Sequence, residues 1–436
     1  MKGRFIAIGG LASTVAASVV SSVDLQHAIF PSSSDSLLHQ LYGDLLRPHD
    51  GQGHTEEVGS WLQNGRVMEF GLDPDEDLEF QAQCGFYQKH PVEFPDDDWS
   101  GDLPLFSGIV SFAHVPVAQC FEHRHTEQAA KYDIAIVGAP YDGSVSYRPG
   151  ARFGPNNLRQ GSRRLGKGFL PVRGFPGSKL RTLDPYNAGY KIVDCGDVPM
   201  SPYDNRIALN QLYRGQRAIY NATTVKDGLM VPKVVTLGGD HTTTLMALRA
   251  AHAHHGPVAV IHFDSHIDTW DPKVLGGGIT KTQSINHGTF LHFAHEYGYI
   301  ADNKSMHVGI RAPFIEKSDE THDYDCGFEK IVARDFDIYG FREIVDRIKK
   351  RVGDLPVYIS VDIDVLDIAA APGTGTPEPG GLTSRELLTV LDGLEGLNVI
   401  GADVVEVSPP FDSNGEITSI VAAQVVDSFL GLMTVA

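Results

Sequence analysis

The sequence predicts an α/β protein in which a parallel sheet carries helices on both faces, and three observations predict it. From Tyr132 to the C-terminus, short apolar runs alternate with stretches of helical period, which is the pattern of repeated strand–helix–strand units. The runs are apolar at successive positions, as in Val258 to Ile261, so each strand is buried on both faces. Acidic and imidazole side chains stand at the ends of these runs, beyond the carboxyl ends of the strands, where such sheets hold ligands.

Taken in order, Asp133 to Gly138 is an apolar strand, and Gly154 to Leu165 forms a helix with Pro155 in its first turn. Lys191 to Asp194 is a strand and Ile207 to Val225 carries a helical pattern. Val234 to Leu237 is a strand that enters a glycine turn. Thr242 then caps a helix running to His254. The central strand from Val258 follows, then Met306 to Arg311 as strand and Phe341 to Val352 as helix. Tyr358 to Val361 is a strand, Thr383 to Leu394 a helix, Val399 to Glu406 a strand and Ile417 to Leu432 the closing helix. No internal repeat is present.

With 436 residues and 42% hydrophobic content, the chain can bury a large core. A formal charge of −19 argues against nucleic acid as a partner and is compatible with attracting small cations. Residues 1–22 read as a secretory signal peptide: Lys2 and Arg4, then an uncharged run from Phe5 to Val20, then small residues. A mitochondrial presequence, richer in arginine, is the alternative address; once the signal is removed, no membrane partner is expected. Residues 23–104 lack periodicity and are broken by Pro, Gly and acid runs, so they read as an extension of unassigned role. Cys84, Cys120, Cys195 and Cys326 permit two disulfides in an oxidising compartment, with three possible pairings. His123, His125, His252, His254 and His255 have no carboxylates at strand ends beside them, so they read as exposed helix or loop residues.

The chemistry is concentrated in three pieces. Asp264, His266 and Asp268 follow the central strand at alternate positions, so an extended backbone points all three the same way. Asp362 and Asp364 repeat the arrangement after another apolar strand, and Gly238-Gly-Asp-His241 delivers His241. Ionised carboxylates at the end of a doubly buried strand each cost several kcal/mol unless a cation meets them. Four carboxylates and two imidazoles balance two divalent cations, and hard oxygen donors with a minority of nitrogen suit Mn²⁺.

Gly238-Gly-Asp-His241, Phe263-Asp-Ser-His-Ile-Asp268, Ser360-Val-Asp-Ile-Asp364 and Ala371-Pro-Gly-Thr-Gly-Thr-Pro-Glu-Pro-Gly-Gly381 resemble, in that order, the ureohydrolase family of arginases and agmatinases. The resemblance covers residues 105–436, which would be the catalytic domain. It implies a three-layer α/β/α fold around an eight-stranded, mostly parallel sheet, assembled into trimers or hexamers. It implies two Mn²⁺ per subunit and hydrolysis of a small cationic guanidino compound to urea and an amine. Carried over residue by residue, His241 and Asp268 would bind one ion, His266 and Asp364 the other, and Asp264 and Asp362 would bridge them. Asp240 would tether the turn. His287 would give a proton to the departing amine, Glu406 would pair with the substrate guanidinium, and Asp268 would orient the attacking water. Arg148 and Arg152 would hold the rim.

Trp270 to Lys281 departs from the arginase loop that binds an amino acid head group, so the pattern is closer to agmatinases, with agmatine cleaved to putrescine and urea. A guanidinobutyrase or other guanidino-acid hydrolase is the alternative. From another class, a metal-binding protein of the same fold without turnover is the competitor.

Overall fold

The computed structural model describes residues 109–121, 130–276 and 284–435. The signal peptide, the 23–104 extension, Cys84, His123, His125 and part of the glycine rim after Trp270 lie outside the described residues.

Eight parallel strands form one sheet in the order β2-β1-β3-β8-β7-β4-β5-β6. They are β1 (Ile134–Gly138), β2 (Ile192–Asp197), β3 (Lys233–Leu237), β4 (Ala259–Phe263), β5 (Ser305–Ile310), β6 (Phe328–Val332), β7 (Val357–Asp362) and β8 (Val399–Val405). The helices are α1 (Gly154–Gly161), α2 (Asn205–Tyr220), α3 (Thr243–His255), α4 (Phe290–Glu296), α5 (Asp319–Asp325), α6 (Asp335–Val352), α7 (Ser384–Gly393) and α8 (Ile417–Thr434). Helices α1, α8, α7 and α6 pack in succession on one side, while α2, α3 and α4 pack in succession on the other.

Residue parity along the strands explains the two layers. Ile134, Ile136, Val235, Leu237, Ile261 and Phe263 join Leu158 of α1, Ile344 of α6, Leu387 of α7 and Phe429 of α8 in one core. Alternate residues such as Val260 and His262 turn to the other face. Helix α8 is long and apolar enough to cross a membrane by composition, yet 78% of that window is buried inside the protein, so it is a core helix.

Strand β6 and helices α4 and α5 are additions to the pattern read from sequence. β6 is an edge strand that mixes buried and exposed residues, with Glu329 and Lys330 between the buried Phe328 and Ile331, so it lacks the apolar run of its neighbours. The expected cap on α3 is corrected: Thr242 has helical backbone angles and makes no side-chain cap. The Asp240 carboxylate accepts the Thr242 N–H instead, at 3.0 Å. Cys120 and Cys195 form a disulfide, joining the segment before β1 to β2. Cys326 is a free, buried thiol. His252, His254 and His255 are half-buried rather than exposed, with His254 stacked on Tyr220.

Candidate metal centre and active site

Four adjacent strands at the middle of the sheet, β3, β8, β7 and β4, deliver the candidate site from their carboxyl ends. His241 follows β3, Asp264 to Asp268 follow β4, Asp362 and Asp364 close β7, and Glu406 follows β8. The turn after β3 requires glycine: a Cβ on Gly239 would lie 1.9 Å from the Tyr141 carbonyl oxygen.

The convergence of Asp264, His266 and Asp268 is not that of an extended strand. β4 ends at Phe263, the Asp264 carboxylate accepts the His266 N–H at 2.6 Å, and Asp268 sits in left-handed backbone at φ +53°. A tight turn folds the row over the strand end. The same device recurs after β7, where Asp362 accepts the Asp364 N–H at 2.8 Å.

The six predicted ligands meet in two groups that share Asp264. His241 Nδ1 lies 3.1 Å from Asp264 Oδ2, 3.1 Å from Asp268 Oδ2 and 3.2 Å from Asp362 Oδ2. On the other side, His266 Nδ1 lies 3.4 Å from Asp264 Oδ1 and 3.0 Å from Asp364 Oδ2. All are buried except His266, which is half-buried.

Hydrogen bonds behind the rings decide which nitrogens face the carboxylates. Ser360 Oγ donates to Asp403 at 2.6 Å, so it accepts from His241 Nε2 at 2.8 Å, and the Nδ1 of the neutral ring is left as a lone pair. A second imidazole repeats this. Asp323 accepts from His307 Nε2 at 2.9 Å, and His307 Nδ1 meets His262 Nδ1 at 2.8 Å. With both rings neutral, His262 turns a bare Nε2 towards Asp264 Oδ2, 3.0 Å away. His241 Nδ1, His262 Nε2 and Asp264 Oδ2 are buried and have no hydrogen-bond partner among the described residues. Lone pairs facing a carboxylate in a dry site require positive charge, so the donor set fits divalent cations.

The titration tendencies carry the same conflict. Burial pushes Asp362 well above the usual carboxylate range, helped by the charges of Asp364 and Asp264. Burial and Asp264 push Asp268 up to about 6. Burial also opposes charge on His241, but bonds to Asp264, Asp268 and Asp362 outweigh it and hold the ring well above its ordinary value.

Beside this centre, His287 Nδ1 lies 3.1 Å from Glu406 Oε1, which also accepts the His241 N–H at 2.9 Å. The Ser146 N–H points at His287 Nε2 at 3.0 Å, which places the ring proton of the neutral form on Nδ1. Burial lowers the His287 pKa, yet the Glu406 bond and the charges of Glu406, Asp268 and Asp240 raise it overall. Glu406 is 1% exposed and stands in left-handed backbone at φ +58°. Asp240 accepts the Ser144 N–H at 2.9 Å as well as the Thr242 N–H, so it ties the β3 turn to the loop after β1. Arg152 is paired with Asp142, and the Arg148 guanidinium lies over Phe411, so both hold the rim.

Sequence reasoning missed His262, Ser360, Ser146 and Arg311. Arg311 donates to the carbonyls of Asp364, Leu366 and Glu378 and so gathers the loop after β7. His262 and Ser360 did leave a signal, since each is a polar residue inside a run otherwise buried and apolar.

Known proteins resemble this chain in sequence and in fold. The arginase family profile matches residues 132–431. The Schizosaccharomyces pombe protein named "Putative agmatinase 1" is 44% identical over 362 residues, 81% of this chain and 89% of that one. Proclavaminate amidinohydrolase of Streptomyces clavuligerus is 38% identical over 322 residues, 74% of this chain and 92% of that one. The solved structure of the proclavaminate amidino hydrolase superimposes with a TM-score of 0.65 at 35% identity, covering 76% of this chain and 99% of that chain. By sequence, by sheet topology and by these relatives, the chain belongs to the arginase family and is a hydrolase of guanidino carbon–nitrogen bonds.

Proposed function

We propose that the chain is a binuclear manganese hydrolase that cleaves agmatine to putrescine and urea. The observation that carries this reading is the pair of ligand groups sharing Asp264 beside the His287–Glu406 pair. His241 and Asp268 would hold one cation and His266 and Asp364 the other, with Asp264 between them; Asp362, expected as a second bridge, lies 3.2 Å from His241 Nδ1 and would join the first. Bound there, two divalent cations would supply Lewis-acid activation of water, lowering its pKa towards about 7.

The remaining steps belong to the chain's own residues. A guanidinium is a planar fork of N–H donors, and the buried Glu406 carboxylate is its complement. Oε1 of Glu406 is taken by His241 and His287, so Oε2 is the oxygen that meets the substrate. Asp268 orients the attacking water by accepting its hydrogen bond. Collapse of the tetrahedral centre expels an amine that needs a proton, and His287, whose pKa is raised by its bond to Glu406 and the neighbouring carboxylate charges, is the group that gives it.

The choice of agmatine rests on the names of the 44%-identical Schizosaccharomyces pombe relatives. Cleavage of a guanidino acid is the second reading, favoured by 34%-identical relatives named guanidinopropionase and guanidino acid hydrolase. Urea release from agmatine, 4-guanidinobutyrate and L-arginine decides between them. Fastest turnover of agmatine is expected, and fastest turnover of 4-guanidinobutyrate would overturn the substrate assignment. Export of the chain is also proposed, supported by the N-terminal sequence and the Cys120–Cys195 disulfide. A native N-terminus still beginning at Met1 would refute it.

A further inference from the structure

The described residues hold a second group of metal-ligating side chains, built by different elements from those of the strand-end centre. His292 stands on α4, His322 on α5, and Cys326 is the residue after α5, one helical turn beyond His322. His292 Nδ1 lies 3.1 Å from His322 Nε2, and Cys326 Sγ lies 3.7 Å from the same nitrogen. The three ligand atoms all fall within 4.8 Å of one another.

The chemistry of each member suits a cation. Cys326 is 2% exposed and free, and burial together with the charges of Asp323, Asp325, Asp271 and Glu296 pushes its thiol up to about 12. Such a thiol is inert as a nucleophile, but the acidic surroundings that silence it attract a positive ion. Burial brings His292 down to about 4, so its ring is neutral and its lone pair is available. Glu296, one turn along α4, places Oε2 3.6 Å from His292 Nε2, which favours the ring proton on that nitrogen and leaves Nδ1 for the cluster.

We propose that His292, His322 and Cys326 form a third metal position, taking one borderline-soft cation of the zinc class, with water completing a tetrahedron. One thiolate and two imidazoles select such a cation over the hard ions that suit the carboxylate-rich centre. On binding, the Cys326 S–H proton passes to solvent and the sulfur bonds to the cation, with no change of oxidation state.

The position is a clamp behind the active-site loops. The same side of α5 also holds the segment after Asp268: Asp319 accepts from Trp270 Nε1 at 3.0 Å and Asp323 from Thr269 Oγ1 at 2.7 Å. Helix α4 begins three residues after His287. One cation between α4 and α5 therefore ties together the two segments that carry Asp268 and His287.

The test uses the full chain, stripped of metal and reloaded with Zn²⁺ or, as a spectroscopic probe, Co²⁺. A near-ultraviolet thiolate-to-cobalt charge-transfer band is expected in the unaltered chain and in Asp362→Ala, whose damage is confined to the carboxylate centre. The band should vanish in Cys326→Ser and in His292→Gln, and each of these variants should bind one zinc fewer per chain and melt at a lower temperature in zinc. If Cys326→Ser does not fold, His292→Gln, at a half-buried position, gives the same reading. A band that is missing from the unaltered chain, or that survives in Cys326→Ser or His292→Gln, overturns the proposal, as does unchanged zinc content.

Discussion

Glu406 occupies left-handed backbone that a glutamate rarely adopts, at a cost of about 1–3 kcal/mol, and it does so at the bottom of the site. The surrounding bonds hold it there: its N–H donates to the Gly239 carbonyl at 2.8 Å, and its carboxylate receives His241 and His287. Glu406→Gln keeps the shape and removes the charge. Loss of a charged partner in a buried site is worth about 3 kcal/mol, so kcat/KM for agmatine should fall roughly 100-fold. A variant within tenfold of the unaltered chain would remove Glu406 from substrate recognition. Far from this site, burial and the neighbouring charges of His254 and Lys233 bring His255 down to about 4. Between that value and its ordinary one near 6.5, the unfolded chain binds more protons than the folded chain. Stability therefore rises with pH across that window. His255→Gln removes this contribution, on the order of 1 kcal/mol after allowance for solvent screening. Unfolding measured at pH 4.5 and pH 7 should show a narrower gap in the variant, and an unchanged gap would contradict the assignment.

At the scale of elements, a single local device builds the site three times. Asp240, Asp264 and Asp362 each accept the N–H two residues onward, which turns the chain sharply as it leaves β3, β4 and β7. The candidate ligand residues stood out in the sequence because acidic and imidazole groups after buried apolar runs have few structural uses. The manner of their convergence was not, since alternation along a strand leads to the same residues as a turn does. β6 escaped notice because an edge strand has no apolar run, and α4 and α5 because seven residues are too few for a periodic pattern. Helix α7, by contrast, was read from Thr383 to Leu394, and its start carries Thr383 and Glu386 three residues apart. They form a reciprocal cap, with Thr383 Oγ1 accepting the Glu386 N–H at 3.3 Å and Glu386 Oε2 accepting the Thr383 N–H at 2.8 Å. Thr383→Ala should lower stability by about 1 kcal/mol in denaturant titration without changing urea release. A loss near zero would show that tertiary packing alone sets the start of α7.

For the whole molecule, the sheet is the instrument that makes the chemistry possible. Its four central strands are buried on both faces, so their carboxyl ends open into a site where charge is costly unless it is balanced. Asp264 stands at the centre of that balance, with one oxygen turned to each group of ligands and with bare imidazole nitrogens facing it. The overall plan was readable from alternating strands and helices. The tautomers of His241 and His262 were not, because Asp403 and Asp323, which set them through Ser360 and His307, come from distant parts of the chain. The central claim is that these donors hold divalent cations on which urea release depends. The direct measurement is urea production from agmatine by the full chain before chelation, after chelation and after Mn²⁺ is returned. Release should be lost on chelation and recovered with Mn²⁺, whereas undiminished release from the stripped chain would contradict the account.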